Sequence, residues 1–398
     1  METICIQERS RQDLERRASQ LDWDCLSQDT RYLTHCIHRY SGKFIPQIAR
    51  QALELISEPG DFVLDPYCGS GTTLLEASLS YRRSVGIDLN PLAVLIAKVK
   101  TTPVEINVLS AFLQRVEARI RPLEVFCRKL ELLGVWATAG ERLLSKAESD
   151  FRWNDEWFTK WFAGPIRREL IAIYQQIVDE EREDCRNIAL VAFSDILRQY
   201  SNAHSGYPNI MFDRNKKDKG PVTPVFLRKL RETVEAVGML QERLADCPVP
   251  EIRLGDAKVL PFNDEAVDAI VTHPPYVGSI PYAEYGVLSL RWLGHDPKEL
   301  DRRLTGGVRQ SKDVLTRFEI GLKGMLSECR RVLRSKGWLF MLLGNPTVKG
   351  KRIDLPKMAE ELACELGFER AVILQRGNIN RRANLMGREK LLFFKKRS

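Results

Sequence analysis

The alternation of apolar and polar positions divides the chain into two kinds of region. After Pro59-Gly60, a turn signal, the short apolar run DFVLDPY reads as a buried strand and CGSGTT as a turn. LLEASLSY then reads as a helix, SVGIDLN as a second strand, and PLAVLIAKVK as a helix opening on Pro91. Strand, glycine turn, helix, strand is a βαβ unit, which predicts a parallel sheet. The same alternation resumes near residue 250. EIRLGD and AVDAIVTHPPY are predicted strands, a helix is expected at roughly Leu315–Leu333, and GWLFMLLGN is a strand. LPKMAEELACELG is a helix ending at a glycine, and RAVILQR with KLLFFKK forms a closing hairpin. The fold class is therefore α/β: a doubly wound, seven-stranded, Rossmann-like sheet, interrupted by an insertion.

The insertion, residues 105–250, has a different pattern. Leu109, Phe112, Val116, Ile120, Leu123, Leu130 and Leu133 recur at helical spacing, with Pro122 expected to break or kink the run. Trp136, Trp153, Trp157 and Trp161 concentrate here. SNAHSGYPNIMFDRNKKDKGPVTP lacks periodicity and reads as a long loop carrying Arg214, Lys216, Lys217 and Lys219. Aromatic and basic groups together suit a nucleic-acid surface; a helical core with a solvated charged loop is the commoner explanation of such a pattern. Residues 1–34, polar and arginine-rich, are expected to form a surface extension. The core is assigned to 35–104 and 251–398, its first helix set by Ile45, Ile48, Ala49, Ala52, Leu53 and Ile56.

A formal net charge of +8 adds a basic bias compatible with a polyanion partner. Nine cysteines without a CxxC pair argue against a disulfide framework or a zinc site and for a reducing cytoplasm. The N-terminus has no apolar signal core, and no run approaches membrane-spanning length. No metal and no membrane partner are expected.

Three short stretches carry the candidate chemistry. DPYCGSGTT, from Asp65 to Thr73, sits where a strand turns into a helix, so glycines and free N–H groups meet a ligand closely. Its Gly69 and Gly71 match neither the GxGxxG dinucleotide fingerprint nor a P-loop. Asp88, at the end of the next strand, is placed to accept both hydroxyls of a ribose; Asp88 or Asn90 is placed to cap the following helix. His273, Pro274, Pro275 and Tyr276 end a later strand. The prolines stiffen the turn and leave a carbonyl for a ligand, Tyr276 offers a stacking face, and His273 offers an acceptor. Asp256 is a candidate for the cofactor or the target, with a helix cap as the plain alternative. Phe44 is a candidate cover for the cofactor, or a core residue.

Together these stretches resemble a known family. HCIHRYSGKFIPQIAR, DPYCGSGTTLLEA, VGIDLNPLAVLIAKVKTTP, LGDAKVLPF and THPPYVGSIPYAEYGVLSLRWLG look like the bacterial amino-methylating DNA methyltransferases, which make N4-methylcytosine or N6-methyladenine. The resemblance covers about His35–Thr102 and Glu251–Ser398. It implies S-adenosylmethionine as cofactor, held by Phe44, Asp65, Pro66, Gly69, Gly71, Thr72, Asp88 and Asp256. It also implies a flipped base gripped by the HPPY tetrapeptide. His273 departs from the family, which usually has Ser, Asp or Asn there. The expected activity is N4 methylation of cytosine in duplex DNA, with adenine N6 as the alternative, in a restriction or host-defence setting with a matching partner. An RNA amino-methyltransferase and a catalytically degenerate nucleic-acid-binding module are the remaining readings. The insertion is the expected reader of the target.

Overall fold

The computed structural model describes residues 11–133, 155–204, 210–217, 219–278, 281–377 and 389–397. Seven strands form one sheet: β1 Phe62–Asp65, β2 Arg83–Asp88, β3 Glu251–Leu254, β4 Val267–Thr272, β5 Leu333–Leu343, β8 Phe368–Gln375 and β9 Lys390–Lys396. Their order is β3-β2-β1-β4-β5-β9-β8, with β9 antiparallel to both its neighbours and the other pairs parallel. The chain winds outward in one direction from β1 and, after the insertion, in the other from β4. The gap between the carboxyl ends of β1 and β4 is thus a topological switch point, where open α/β sheets leave a crevice.

Period-two alternation gives the sheet its two buried faces. Val63, Ala269, Val271, Phe340 and Phe393 face α2, Pro46–Ile56, through Ile48, Ala49, Ala52 and Leu53. Leu64, Ile270, Leu339, Met341, Leu392 and Phe394 face the other way. They pack there with Phe318, Leu322, Met325 and Leu326 of the helix Val314–Val332. Two further helices connect the first strands, α3 Thr72–Leu79 and α4 Pro91–Thr101. A short antiparallel ribbon, β6 Thr347–Val348 with β7 Lys351–Arg352, projects beyond β5 and was not foreseen.

Residues 11–34, part of the surface extension expected for residues 1–34, pack several apolar side chains onto the sheet. The helix α1, Arg11–Ser19, buries Leu14 and Ala18. Trp23 stacks against Phe340 at 6.3 Å and meets Phe393 edge-on. A few apolar side chains among many arginines suffice to seal this face, and average polarity hid them.

Between α4 and β3 the chain is helical: α5 Ile106–Leu132, α6 Glu156–Trp161, α7 Gly164–Val178, α8 Glu183–Tyr200 and α9 Thr223–Arg243. Pro122 does not break α5, which runs on through it. Pro122 and Ala118, whose carbonyl loses its usual donor, both lie on the exposed side of the helix. The buried stripe Leu109, Phe112, Val116, Ile120, Cys127 and Leu130 meanwhile continues past the proline. Trp157 and Trp161 pack into the core rather than forming an open nucleic-acid surface, while Phe212 is exposed. Phe158 and Phe162 pack edge-on against the buried Trp292, and Trp161 is also buried. Trp157 packs beside them, on Phe158 and Trp161. Trp136 and Trp153 lie outside the described residues. The same core takes in Leu92, Ile96 and Val99 of α4, so insertion and sheet are joined by continuous packing.

Candidate active site

The crevice at the switch point is a cleft lined by the β1–α3 turn, the end of β2, the segment Tyr40–Phe44 and His273. Its floor is the β1–α3 turn. Burial pushes the Asp65 carboxyl up to about 6, although it accepts from Thr272 Oγ1 at 2.8 Å and from the Tyr67 amide at 3.1 Å. Gly69 and Gly71 have φ of 50° and 79°, in the left-handed region that favours glycine. A side chain on Gly71 would also strike Ala97 of α4 at 2.9 Å, so this glycine brings α3 and α4 together instead of lining the cleft. Pro66, Gly69 and Thr72 do line it. The Thr72 hydroxyl oxygen is buried with no partner, which suits a bound polar ligand.

Asp88 closes one end. Its Oδ2 accepts from the Gly69 amide and its Oδ1 from the Asn90 amide, each at 2.8 Å. Burial pushes this carboxyl up to about 6 as well. Asn90 is the residue that caps α4, its Oδ1 accepting from the Leu92 amide at 3.0 Å. Each carboxylate oxygen of Asp88 thus keeps a lone pair beside the cleft. Asp256 does not join them. Its carboxylate caps the turn at the Lys258 amide and pairs with Lys258 Nζ at 3.3 Å, and Ala257 is the residue on the cleft wall.

Tyr40, Lys43 and Phe44 roof the cleft. Their segment is fastened from below by Glu76 of α3, which is fully buried. Glu76 accepts from the Tyr32 hydroxyl at 2.6 Å, from His35 Nε2 at 2.8 Å and from Arg50 Nε at 2.9 Å. Beside it the amine of Lys100, pushed well below its ordinary value by burial, donates to Ser70 Oγ at 3.0 Å. His35, Arg50, Ser70, Glu76 and Lys100 lie within the stretches that carry the family resemblance, but nothing in the sequence marks them as one hydrogen-bonded network.

His273 and Pro275 form the opposite wall, with the Phe44 ring 5.0 Å from the imidazole. Burial pushes the His273 acid form down to about 4, so the ring is neutral near pH 7. His273 Nε2 lies 2.8 Å from the Tyr276 hydroxyl, while Nδ1 is buried without a partner. Tyr276, expected to present an open stacking face, is only 3% exposed and does not line this cleft. Its hydroxyl donates to Glu389 Oε1 at 3.0 Å. Tyr276 instead borders an adjoining cavity, which meets the first at Tyr282, Leu304 and Thr305. Pro274 is buried and lines neither. Among the described residues no group of three or more His, Cys, Asp or Glu side chains could hold a metal, and no helix is long and apolar enough to cross a membrane.

The family model described as DNA methylase matches residues 7–99, which hold the glycine turn, Asp88 and the roof of the cleft. The chain is 26% identical over 392 residues to the Type II methyltransferase M.MvaI of Kocuria varians, covering 85% of this chain and 82% of that one. It is 25% identical over 411 residues to the Type II methyltransferase M.MjaII of Methanocaldococcus jannaschii, covering 83% and 76%. These matches liken the chain to the N4/N6 amino-methylating DNA methyltransferases. The chain is an S-adenosylmethionine-dependent methyltransferase. A solved S-adenosylmethionine-dependent methyltransferase from Methanosarcina mazei, 12% identical, aligns over 87% of this chain and 97% of its own with a TM-score of 0.35.

Proposed function

We propose that this methyltransferase acts on the N4 amino group of cytosine in duplex DNA, with adenine N6 the close alternative. The observation that carries the reading is the neutral His273 imidazole on the cleft wall, with Nδ1 unpartnered. S-adenosylmethionine supplies an electrophilic methyl on a sulfonium. Asp88 has the spare acceptor capacity for ribose hydroxyls, and the partnerless Thr72 hydroxyl and the left-handed Gly69 suit a closely held polar ligand. A base inside a duplex cannot reach this cleft, so the target nucleotide leaves the stack. Its amino lone pair is delocalised into the ring. An acceptor on an amino hydrogen, here His273, favours the tetrahedral nitrogen that attacks in line, and the catalysis is positioning; Pro274, whose carbonyl was the expected second acceptor, lines neither cavity. No covalent nucleophile is required. Cys68, the cysteine at the glycine turn, has a buried thiol pushed well above its ordinary value, which suits it poorly for attack on a ring carbon.

A neutral imidazole replaces a serine oxygen as acceptor but cannot supply the negative charge of an aspartate, which favours cytosine. The relatives are named Type II methyltransferases, and a restriction endonuclease of matching specificity is the expected partner. The test is to methylate duplex DNA with the purified enzyme, digest it to nucleosides and analyse these by mass spectrometry. N4-methylcytosine is expected. N6-methyladenine alone would overturn the choice of base, and 5-methylcytosine or methylation confined to RNA would overturn the reading of His273.

A further inference from the structure

Resting on that reading, we infer that Tyr276 and Glu389 are positioning residues that fix the tautomer of His273, so that Nδ1 is the atom accepting the target amino hydrogen. The phenol of Tyr276 stands between two groups: Glu389 Oε1 at 3.0 Å and His273 Nε2 at 2.8 Å. A phenol has one proton. Glu389 is paired through Oε2 with the buried Arg376 guanidinium at 2.9 Å, so it is a carboxylate and only accepts. The Tyr276 proton therefore goes to Glu389. The phenol oxygen is left as an acceptor towards His273, and Nε2 must carry the hydrogen. A neutral imidazole has one N–H; with it on Nε2, Nδ1 is a bare lone pair. That nitrogen is the one the structure leaves buried and unpartnered.

The bond count explains why this orientation is useful. Nδ1 is attached directly to Cγ, the place where asparagine and aspartate carry Oδ1. A histidine presented this way offers its acceptor where those shorter side chains offer theirs, with the remainder of the ring held aside by Tyr276 and Phe44. The opposite tautomer would turn an N–H towards the incoming amine and repel it. Glu389 and Arg376 are themselves fixed by the closing hairpin. The Arg376 amide donates to the Glu389 carbonyl at 3.0 Å, just after β8 and just before β9. The relay thus reaches the active site from the far end of the chain.

Two readouts test this. With five histidines in the chain, ¹⁵N-histidine labelling and long-range ¹H–¹⁵N correlation near pH 7 read each tautomer, and His273 is assigned by the signal that disappears in His273→Asn. A protonated Nε2 and bare Nδ1 are expected, with a mixed population in Tyr276→Phe. A protonated Nδ1 in the native enzyme overturns the inference, and this readout holds even if the DNA substrate is wrongly identified. In turnover, Tyr276→Phe keeps the ring but should lower kcat about 10- to 100-fold, the scale on which orienting partners act. S-adenosylmethionine affinity should stay within about twofold. In a His273→Asn enzyme, whose amide needs no tautomer, the same change should cost little. Unchanged turnover of Tyr276→Phe, or an equal loss in both backgrounds, would mean that Tyr276 does not act through His273. If His273→Asn is itself inactive, the tautomer spectrum decides.

Discussion

Thr272 Oγ1 donates to Asp65 Oδ1 at 2.8 Å, tying the last residue of β4 to the last residue of β1 across the switch point. Both are buried, and the bond sets the distance between the glycine turn and the His273 wall. Thr272→Val keeps the shape and removes the donor. It should cost about 1–3 kcal/mol of stability, the range for leaving a buried acceptor short of a partner, measured by denaturant unfolding. The Asp65 carboxyl should rise further above about 6. The folded protein holds this proton more tightly than the unfolded chain. Its contribution to stability therefore declines as pH rises from the unfolded value through the folded one and is level above it. In the variant that decline should extend to higher pH.

Asp88 gives a second pH dependence, of opposite sign for ligand binding. Ribose hydroxyls donate to a carboxylate, and the free enzyme holds this carboxyl at about 6. S-adenosylmethionine affinity should therefore strengthen as pH rises from about 5 to about 7 and then level off. Calorimetry across that range checks it. Asp88→Ala should weaken binding by about 1.5–3 kcal/mol and flatten the profile; an unchanged affinity would remove Asp88 from the cofactor site.

Glu76 supports the roof without touching the cleft. Glu76→Ala leaves Tyr32, His35 and Arg50 without their common acceptor and should cost about 3–5 kcal/mol, as breaking a buried ionic network does. Because Tyr40, Lys43 and Phe44 follow directly, cofactor affinity should fall with it. A variant that loses stability while binding S-adenosylmethionine normally would show that the roof is held by other contacts.

The loop that carries Arg214, Lys217 and Lys219 is the proposed contact with the DNA backbone, all three side chains being exposed. Neutralising them should reduce the slope of log affinity against log salt by about one for each phosphate no longer paired with a cation. The ribbon of β6 and β7 offers a rival footing. Its exposed Lys349, Lys351 and Arg352 lie on the edge where Val348 packs against Gly278, two residues beyond Tyr276. A slope that responds only to the ribbon substitutions would move the backbone contact there.

The parts of the site that read directly from the sequence are those made by neighbours in the chain. Asp65, Gly69 and Thr72 share one turn, Asp88 ends a strand, and His273 directly follows another. Each is marked by an apolar run stopping at a small or polar residue. The fold was legible for the same reason, since strand and helix periods are local. Glu389 had no such marker: it lies 113 residues from Tyr276 and matters only because β9 inserts antiparallel between β5 and β8. Asp256 shows the converse. It stands in a suggestive string, but its carboxylate is engaged by its own turn and by Lys258. Pro122, expected to break or kink the run, does not end the helix, because a continuous buried stripe holds it across the proline.

The helix α4 serves two clients. Its first turn, capped by Asn90, and its Ala97 and Lys100 abut the glycine turn, while its Leu92, Ile96 and Val99 belong to the core of the insertion. A change of target specificity by exchanging residues 105–250 as a cassette would therefore cut through a packed interior and leave half of it with the donor. Chimeras between relatives should be joined upstream of Asn90, so that the helix travels with the insertion it packs against. With the insertion as the proposed target reader, a change of specificity is expected to be tolerated better as surface substitutions on it than as its wholesale replacement.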